Sequence, residues 1–395
     1  MSEIRVDTIS EKTSTSGVTI DSVNIKDGKV VTQDSPYRNL IINGDMKIAQ
    51  RATGATTITN NTVHYATLDR YAVYEYSDAV LTSERHTMSA AEQATTGQKY
   101  AMELNVTTVD SSIAAGQWAF FTHPVEAQFC QSALYGTSAA KDLTLSFWVK
   151  TNKTGTYAVC MDKNDSTRYR LPITYTVDSA DTWEKKTINI SPTAGSTSLI
   201  TGANGAIADD NGIGFFIWFV LAAGSDFHGT DNTWVSAEKY TTSSQVNWLD
   251  STSNNFHITG IQLEVGSTAS DFEHLPHDVN LQRCQRYYQQ IPHVASASWQ
   301  ATPIWGINSN VMSGRVQLPV IMRSAPTGAF VGTRNTDFKA YYNGGYQTLT
   351  NEAATDTTVD SVRLDMYSSG AFAANDAGGV SVNTTDGRIT LTAEF

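Results

Sequence analysis

Two groups of aromatic residues stand out as able to do chemistry, because a tyrosine or tryptophan face can lie against the C–H-bearing face of a sugar ring. The first lies in the polar stretch from Gly224 to Asn255, which holds Phe227, His228, Trp234, Tyr240 and Trp248 among Asp226, Asp231, Asn232 and Asn247. Trp234, Tyr240 and Trp248 are the candidate ligand-binding residues of this group; the competing reading is that the two tryptophans pack under the loop. The second comprises Trp299, Trp305, Tyr341, Tyr342 and Tyr346, of which Tyr341, Tyr342 and Tyr346 are the candidates. Tyr342-Asn-Gly-Gly-Tyr346 reads as a hairpin whose Asn-Gly pair favours a type I′ turn. Here the competing reading is that the rings pad a sandwich or a threefold seam.

Catalytic chemistry finds little support in the residues. A glycosidase places two carboxyl groups roughly 5–10 Å apart across a cleft. Glu264 with Glu273, and Asp209 with Asp210, are the available pairs, but none sits in a recognisable catalytic motif. No Gly-x-Ser-x-Gly, P-loop or His-Glu-x-x-His pattern occurs. His274 and His277 flank Pro276 without a third ligand in the nearby sequence, which argues against zinc there. Asn43, Asp45 and Asp271 offer oxygens for a structural calcium ion, against the commoner use of such residues as turn caps. The expectation is a non-enzymatic chain with no cofactor beyond that calcium.

The elements that must position these residues read as strands. Tyr71–Tyr76, Tyr100–Val106, Trp118–Phe121, Leu143–Val149, Thr187–Ile190 and Phe256–Val265 alternate or run apolar, with Gly, Asn, Asp and Ser between them. Asn39–Asn43 is expected to open the series, and Phe215–Val220 is apolar throughout, as a strand buried on both faces is. Residues 37–277 therefore form a jelly-roll β-sandwich. Asp278 to Gln290 is predicted helical, with Asp278 as N-cap and Pro292 as the stop, making 278–292 a linking helix. Strands return at Thr302–Ile307, Gly314–Ile321, Phe338–Tyr342, Val359–Leu364 and Arg388–Phe395, giving a smaller C-terminal β-sandwich over 293–395. Residues 1–36 carry short extended stretches (Ile4 to Ile9, Val18 to Ile25) broken at Gly17 and Asp27-Gly28. So few residues bury too little surface to fold unaided, which marks an attachment element that packs on itself by oligomerising or on a partner. The fold class is all-β.

Composition narrows the partners. The net charge is −12 and no Lys/Arg cluster exists, which disfavours nucleic acid and anionic membranes. Hydrophobic residues make up 40% and charged residues only 17%, so the surface is covered by hydroxyls and amides. Cys130, Cys160 and Cys284 are too sparse for a disulfide framework and lack zinc spacing. The first residues lack the apolar region of a secretory signal, and Phe215–Ala223 is too short to span a bilayer. A chain made in a cytoplasm but surfaced for the exterior fits release by lysis.

Several stretches resemble bacteriophage tail-fibre and virion structural proteins that carry a carbohydrate-binding-module-like jelly roll. They are Arg5-Val-Asp-Thr-Ile with Gly17-Val-Thr-Ile-Asp, Asn39 to Arg51, Leu68-Asp-Arg-Tyr71, Thr182 to Pro192, Ile258 to Gly266, Asp271 to Pro276, Leu281 to Tyr288 and Leu318 to Thr327. Asp45-Met46 and Leu275 depart from the pattern, which touches the surface rather than the fold. The resemblance implies a homotrimeric virion fibre whose N-terminus docks to other tail proteins and whose outer domains meet a host-surface glycan. It would be assembled in the host cytoplasm and extracellular after lysis. A structural virion connector and a polysaccharide depolymerase are the alternatives.

Overall fold

The computed structural model describes residues 18–20, 23–26, 29–31, 37–195, 198–291, 299–382 and 387–395. The chain divides into two compact units, Met1–Asn39 and Leu40–Phe395. In the first, Val18–Ile20, Val23–Lys26 and Lys29–Val31 form a three-stranded antiparallel sheet. The extended stretches expected around Val18 to Ile25 are thus strands. Those expected from Ile4 to Ile9 lie outside the described residues.

The second unit opens with a jelly-roll sandwich of two six-stranded antiparallel sheets. One runs Glu184–Ile190, Leu143–Thr151, Asn255–Val265, Tyr100–Thr108, Val80–Thr87 and Thr56–Ile58 in spatial order. The other runs Tyr169–Val177, Gly155–Lys163, Ile213–Ala223, Trp118–Glu126, Ala72–Tyr76 and Thr62–His64. Strand periodicity of two sends alternate residues to opposite faces. Phe121, Phe147, Val159, Phe215, Ile217, Phe219, Phe256 and Leu263 therefore point inward and fill one core. Phe121 and Phe219 stack across the sheet with centroids 4.7 Å apart. Cys130, Cys160 and Cys284 are free and buried.

Residues 39–43 form no strand. Leu40 N–H donates to Leu263 O at 2.9 Å, but Asn43 (φ 62°) and Met46 (φ 55°) turn the chain away from extended geometry. Burial of Leu40, Ile41 and Ile42, not sheet pairing, accounts for the apolar run there. The helix is also shorter than its sequence predicts. It spans His277–Gln285, with Pro276 at the N-cap and no side-chain cap from Asp278. Tyr288–Ile291 follows it and pairs antiparallel with Arg388–Thr392, where the β-favouring Tyr288 and Ile291 are buried.

The remaining strands make a second sandwich with its own core, including Ile304, Met312, Phe338, Val362, Leu364, Val380 and Leu391. A seven-stranded sheet packs on the three strands Tyr288–Ile291, Arg388–Thr392 and Thr327–Val331. The hairpin at Asn343-Gly344 is present as expected. Tyr342 pairs with Gly345, and both loop residues have positive φ (48° and 78°), as a type I′ turn requires. No helix among the described residues is long and apolar enough to cross a membrane.

Buried charge joins the two sandwiches. The Arg70 guanidinium is fully buried, pairs with the Glu394 carboxylate, donates to Pro124 O at 2.8 Å and lies 3.4 Å over the Tyr287 ring. Arg51 reaches Glu394 at 3.2 Å and sits 3.8 Å over Tyr288. Arg323 donates to Ala393 O and Glu394 O, and Arg286 with Tyr287 engages Glu126. Removing one member of such a set strands the other in low dielectric, at a cost of about 3–5 kcal/mol. Glu394→Ala is accordingly expected to lose about that much in urea unfolding, whereas Arg70→Met with Glu394→Leu recovers most of it.

A second buried carboxyl gives a pH signature. Glu75 lies on the inner side of strand Ala72–Tyr76, fully buried and accepting from Ser77 N–H at 2.6 Å and from the Ser77 hydroxyl. Burial pushes its pKa up from 4.5 to about 7, outweighing those two bonds. The folded protein therefore keeps this proton where the unfolded chain has lost it. The contribution is fully present below pH 4.5 and is lost as pH rises through about 7. Glu75→Gln should raise the melting temperature more at pH 8 than at pH 5; an equal gain at both would show that the carboxyl is already ionised.

Candidate functional site

Many outward residues of the second jelly-roll sheet are apolar too. In adjacent strands Tyr74 stands opposite Phe120, Tyr76 opposite Trp118, Phe120 opposite Val220, and Trp218 opposite Cys160. All but Tyr76, which stacks on Trp118, belong to a cluster outside the main core that also takes in Phe216, Phe227 and Tyr240. Its free edge is a set of near-parallel rings. Trp118 lies 4.7 Å from Tyr76 at 18° and 6.0 Å from Tyr74 at 23°. Tyr74, Tyr76, Trp118 and Phe227 are each half-buried, so the rings are held by neighbours yet reach solvent. Phe227 meets Trp118 edge-on at 6.1 Å.

Further along the same outward face, where Phe216 stands opposite Asp162, is a polar group able to orient a ligand's hydroxyls. Asp162, wholly buried, accepts from Arg168 Nε at 3.0 Å and Nη2 at 2.5 Å, and from Trp218 Nε1 at 3.0 Å. The Arg168 side chain is 36% exposed, which leaves a fixed guanidinium edge in water next to Phe216. Arg170 is buried and donates to the Tyr240 hydroxyl at 3.1 Å and to Glu238 at 3.0 Å. The arrangement offers flat apolar faces with directional donors at one side, which is binding chemistry.

The loop tryptophans go elsewhere. Trp234 (1% exposed) and Trp248 (0%) are core residues of the sandwich, so their assignment to ligand contact is corrected. Each indole N–H has a backbone acceptor, Ser191 O at 2.8 Å and Asn255 O at 3.2 Å, and both rings bury without an unmet donor. Tyr240 joins the outer cluster but is buried, its ring 5.1 Å from Phe120; burial raises its pKa to about 12. It braces the platform rather than presenting a face.

In the C-terminal sandwich Tyr341 and Tyr346 pair across the hairpin with rings 5.6 Å apart, both exposed. Tyr341 also stands opposite Gly379, which pairs onward with Pro303; over Gly379 there is open space. Trp305, on the same face two residues along, is 57% exposed. Tyr342 points the other way, against Phe372 at 5.8 Å, with its hydroxyl on Asp376 at 2.8 Å, so it is removed from the exposed set. The side chain of Trp299 lies outside the described residues.

Asn43 and Asp45, proposed for calcium together with Asp271, make hydrogen bonds within the fold. Asn43 donates to Ile48 O and Asp69 O and accepts from Ile48 N–H, capping its turn. Asp45 accepts from Asn280 at 3.0 Å, while the backbone carbonyl of Asp271 accepts from Gln262. Glu264 is buried and accepts from the Ser270 amide and hydroxyl, which explains that carboxylate structurally.

Reasoning from sequence missed Trp118, Tyr74, Tyr76 and Arg168. The available signal was that strands already supplied with inward rings also carry rings at the alternate positions: Trp118 and Phe120 beside Phe121, Phe216 and Trp218 beside Phe215 and Phe219.

No family model matches the chain, and no curated protein matches it. Solved structures do show similarity. A sugar-binding protein from Bacteroides thetaiotaomicron, itself a tentative assignment, aligns at 13% identity and TM-score 0.31 over 57% of this chain and 99% of its own. A family 11 carbohydrate-binding module from Clostridium thermocellum, solved with a β-1,3-1,4-mixed-linked tetrasaccharide, aligns at 13% and TM-score 0.27 over 56% and 99%. The enzymatically active domain of tailspike protein 4 of bacteriophage CBA120 aligns at 13% and TM-score 0.27, over 58% of this chain but 22% of its own.

Proposed function

We propose that this chain is a non-catalytic glycan-binding protein whose ring platform Tyr74–Trp118–Tyr76 receives sugar rings, with Arg168 further along the same sheet face meeting the hydroxyls of a longer oligosaccharide. The observation that carries the reading is the near-parallel stack at 4.7 and 6.0 Å on an outward sheet face, half-open to solvent. Rings fixed by their neighbours lose little freedom on binding, and their apolar faces suit the C–H-bearing side of a pyranose. The sequence resemblance supports the wider setting: a homotrimeric virion fibre, docked to other tail proteins through residues 1–36 and holding a phage to a host surface. Three copies engaging together raise avidity by about 10²–10⁴ over one, so a weak single site suffices.

The exposed patch of Trp305, Tyr341 and Tyr346 supports a second reading, in which the C-terminal sandwich makes the host contact. Glycan-array binding followed by calorimetry on the retained oligosaccharide tests both. Trp118→Ala is expected to weaken binding at least tenfold, with Trp305→Ala and Tyr341→Ala near wild type. The reverse pattern moves the site to the C-terminal patch. A wild-type protein that retains no glycan, or that sediments as a single chain, removes the corresponding part of the proposal.

A further inference from the structure

The opposite sheet of the jelly roll carries a different cluster on its outer face. His86, Glu103 and His257 sit on three neighbouring strands, Val80–Thr87, Tyr100–Thr108 and Asn255–Val265, with His257 directly opposite Glu103 in the register. Glu103 Oε2 lies 3.1 Å from His86 Nδ1 and 3.3 Å from His257 Nε2. The two imidazoles meet edge-on with centroids 5.0 Å apart. One ligating atom from each residue falls within 4.8 Å of the others. We propose that His86 Nδ1, His257 Nε2 and Glu103 Oε2 bind a divalent first-row transition ion of the zinc class.

The donor set fits that class by chemistry and spacing. Two imidazole nitrogens and one carboxylate oxygen suit zinc and its neighbours and are wrong for calcium, which takes oxygens alone. Bonds of about 2.0–2.1 Å in a tetrahedral shell put ligand atoms about 3.3 Å apart, close to the two separations from Glu103 Oε2.

The surroundings hold the Glu103 carboxylate in a ligating pose. Asn105 Nδ2 donates to Glu103 Oε1 at 3.0 Å, which turns Oε2 toward the histidines. On the far side of the His86 ring, Nε2 lies 3.5 Å from Glu92 Oε2 without a formed hydrogen bond, so a small shift of the ring would complete a carboxylate–histidine pair. Glu92 is itself clamped: it closes the capping box with Ser89, and its Oε1 accepts from Lys150 Nζ at 2.6 Å and Trp183 Nε1 at 3.1 Å. His257 is 6% exposed and its Nδ1 is buried with no hydrogen-bond partner. Two histidine N–H groups crowding a single carboxylate oxygen is a poor end in itself for so much support. Glu84 stands opposite Glu103 on the next strand and adds negative charge. His86 is the more open member, with 28% of its side chain exposed, so the fourth position faces water. A bound ion would pin three strands together and tie them to helix Ala90–Thr96 through Glu92.

The test is titration of chelator-stripped, full-length protein with Zn²⁺ by calorimetry, and with Co²⁺ by visible absorption. The expectation is one ion per chain, intense d–d bands of a low-coordinate nitrogen–oxygen site, and a melting temperature that climbs with zinc concentration. His86→Gln, the exposed and mild change, should weaken zinc at least tenfold with near-UV circular dichroism unaltered; Asn105→Ala should weaken it about 10–100-fold as an outer-shell change does. No saturable binding of either ion by wild type overturns the proposal, as does unchanged affinity in His86→Gln with His257→Gln. Glycan retention measured on the same variants stays at wild-type level whichever way the metal result falls, so this site and the ring platform are judged separately.

Discussion

The arrangement depends on one strand being covered on both sides. Ile213–Ala223 crosses the middle of its sheet with Phe215, Ile217 and Phe219 inward, and Phe216, Trp218 and Val220 outward. Inward burial is ordinary sandwich packing. Outward burial has to be supplied by something else, and here it comes from rings on the flanking strands and from Phe227 and Tyr240 of the following loop. A sheet face roofed by aromatics over part of its area and open over the rest has a step between the two regions, and Trp118 stands at that step. The same alternation that builds the core thus also creates the platform, and neither can be altered alone.

The buried ions enforce a different kind of order. Arg70 has lost its water and regained it as Glu394, Pro124 O and the Tyr287 ring. Hydrophobic contact between two sandwiches tolerates sliding; a desolvated guanidinium does not, since its partners must meet it in a fixed fork. The pair draws on a jelly-roll strand end and on the strand region of the second sandwich, and so fixes how the C-terminal patch of Trp305, Tyr341 and Tyr346 is carried relative to the ring platform.

Much of the fold was legible in the residues because strand periodicity is a local signal. Leu143–Val149, Phe338–Tyr342 and the Asn343-Gly344 turn lie where the pattern places them, and the double-sided burial of Phe215–Val220 follows from its unbroken apolarity. What failed was non-local. Trp234 and Trp248 look exposed beside Asp and Asn, but their burial depends on carbonyls at Ser191 and Asn255, the first of them 43 residues away. Residues 39–43 are apolar like a strand yet turn at Asn43, because the amide side chain completes the loop to Ile48. Tyr288–Ile291 has no helix breaker before it and leaves the helix only because Arg388–Thr392 offers a ladder. The His86–Glu103–His257 cluster is equally invisible in sequence: three residues 17 and 154 positions apart share a face only through sheet order.

The two outer faces of the jelly roll therefore divide the chemistry. One presents rings whose charged neighbours, Arg168 and Asp162, are already neutralised by each other, a surface with shape and direction but little net field. The other gathers Glu84, Glu92 and Glu103 around two imidazoles with Lys150 as the nearby cation, a surface that attracts positive charge. A neutral sugar is favoured by the first and gains nothing from the second, where it would have to displace carboxylate hydration. A cation is favoured by the second and meets only quadrupoles and a guanidinium on the first. The separation follows from having two sheets back to back, since each side chain on an outer face is screened from the other face by the full thickness of the core.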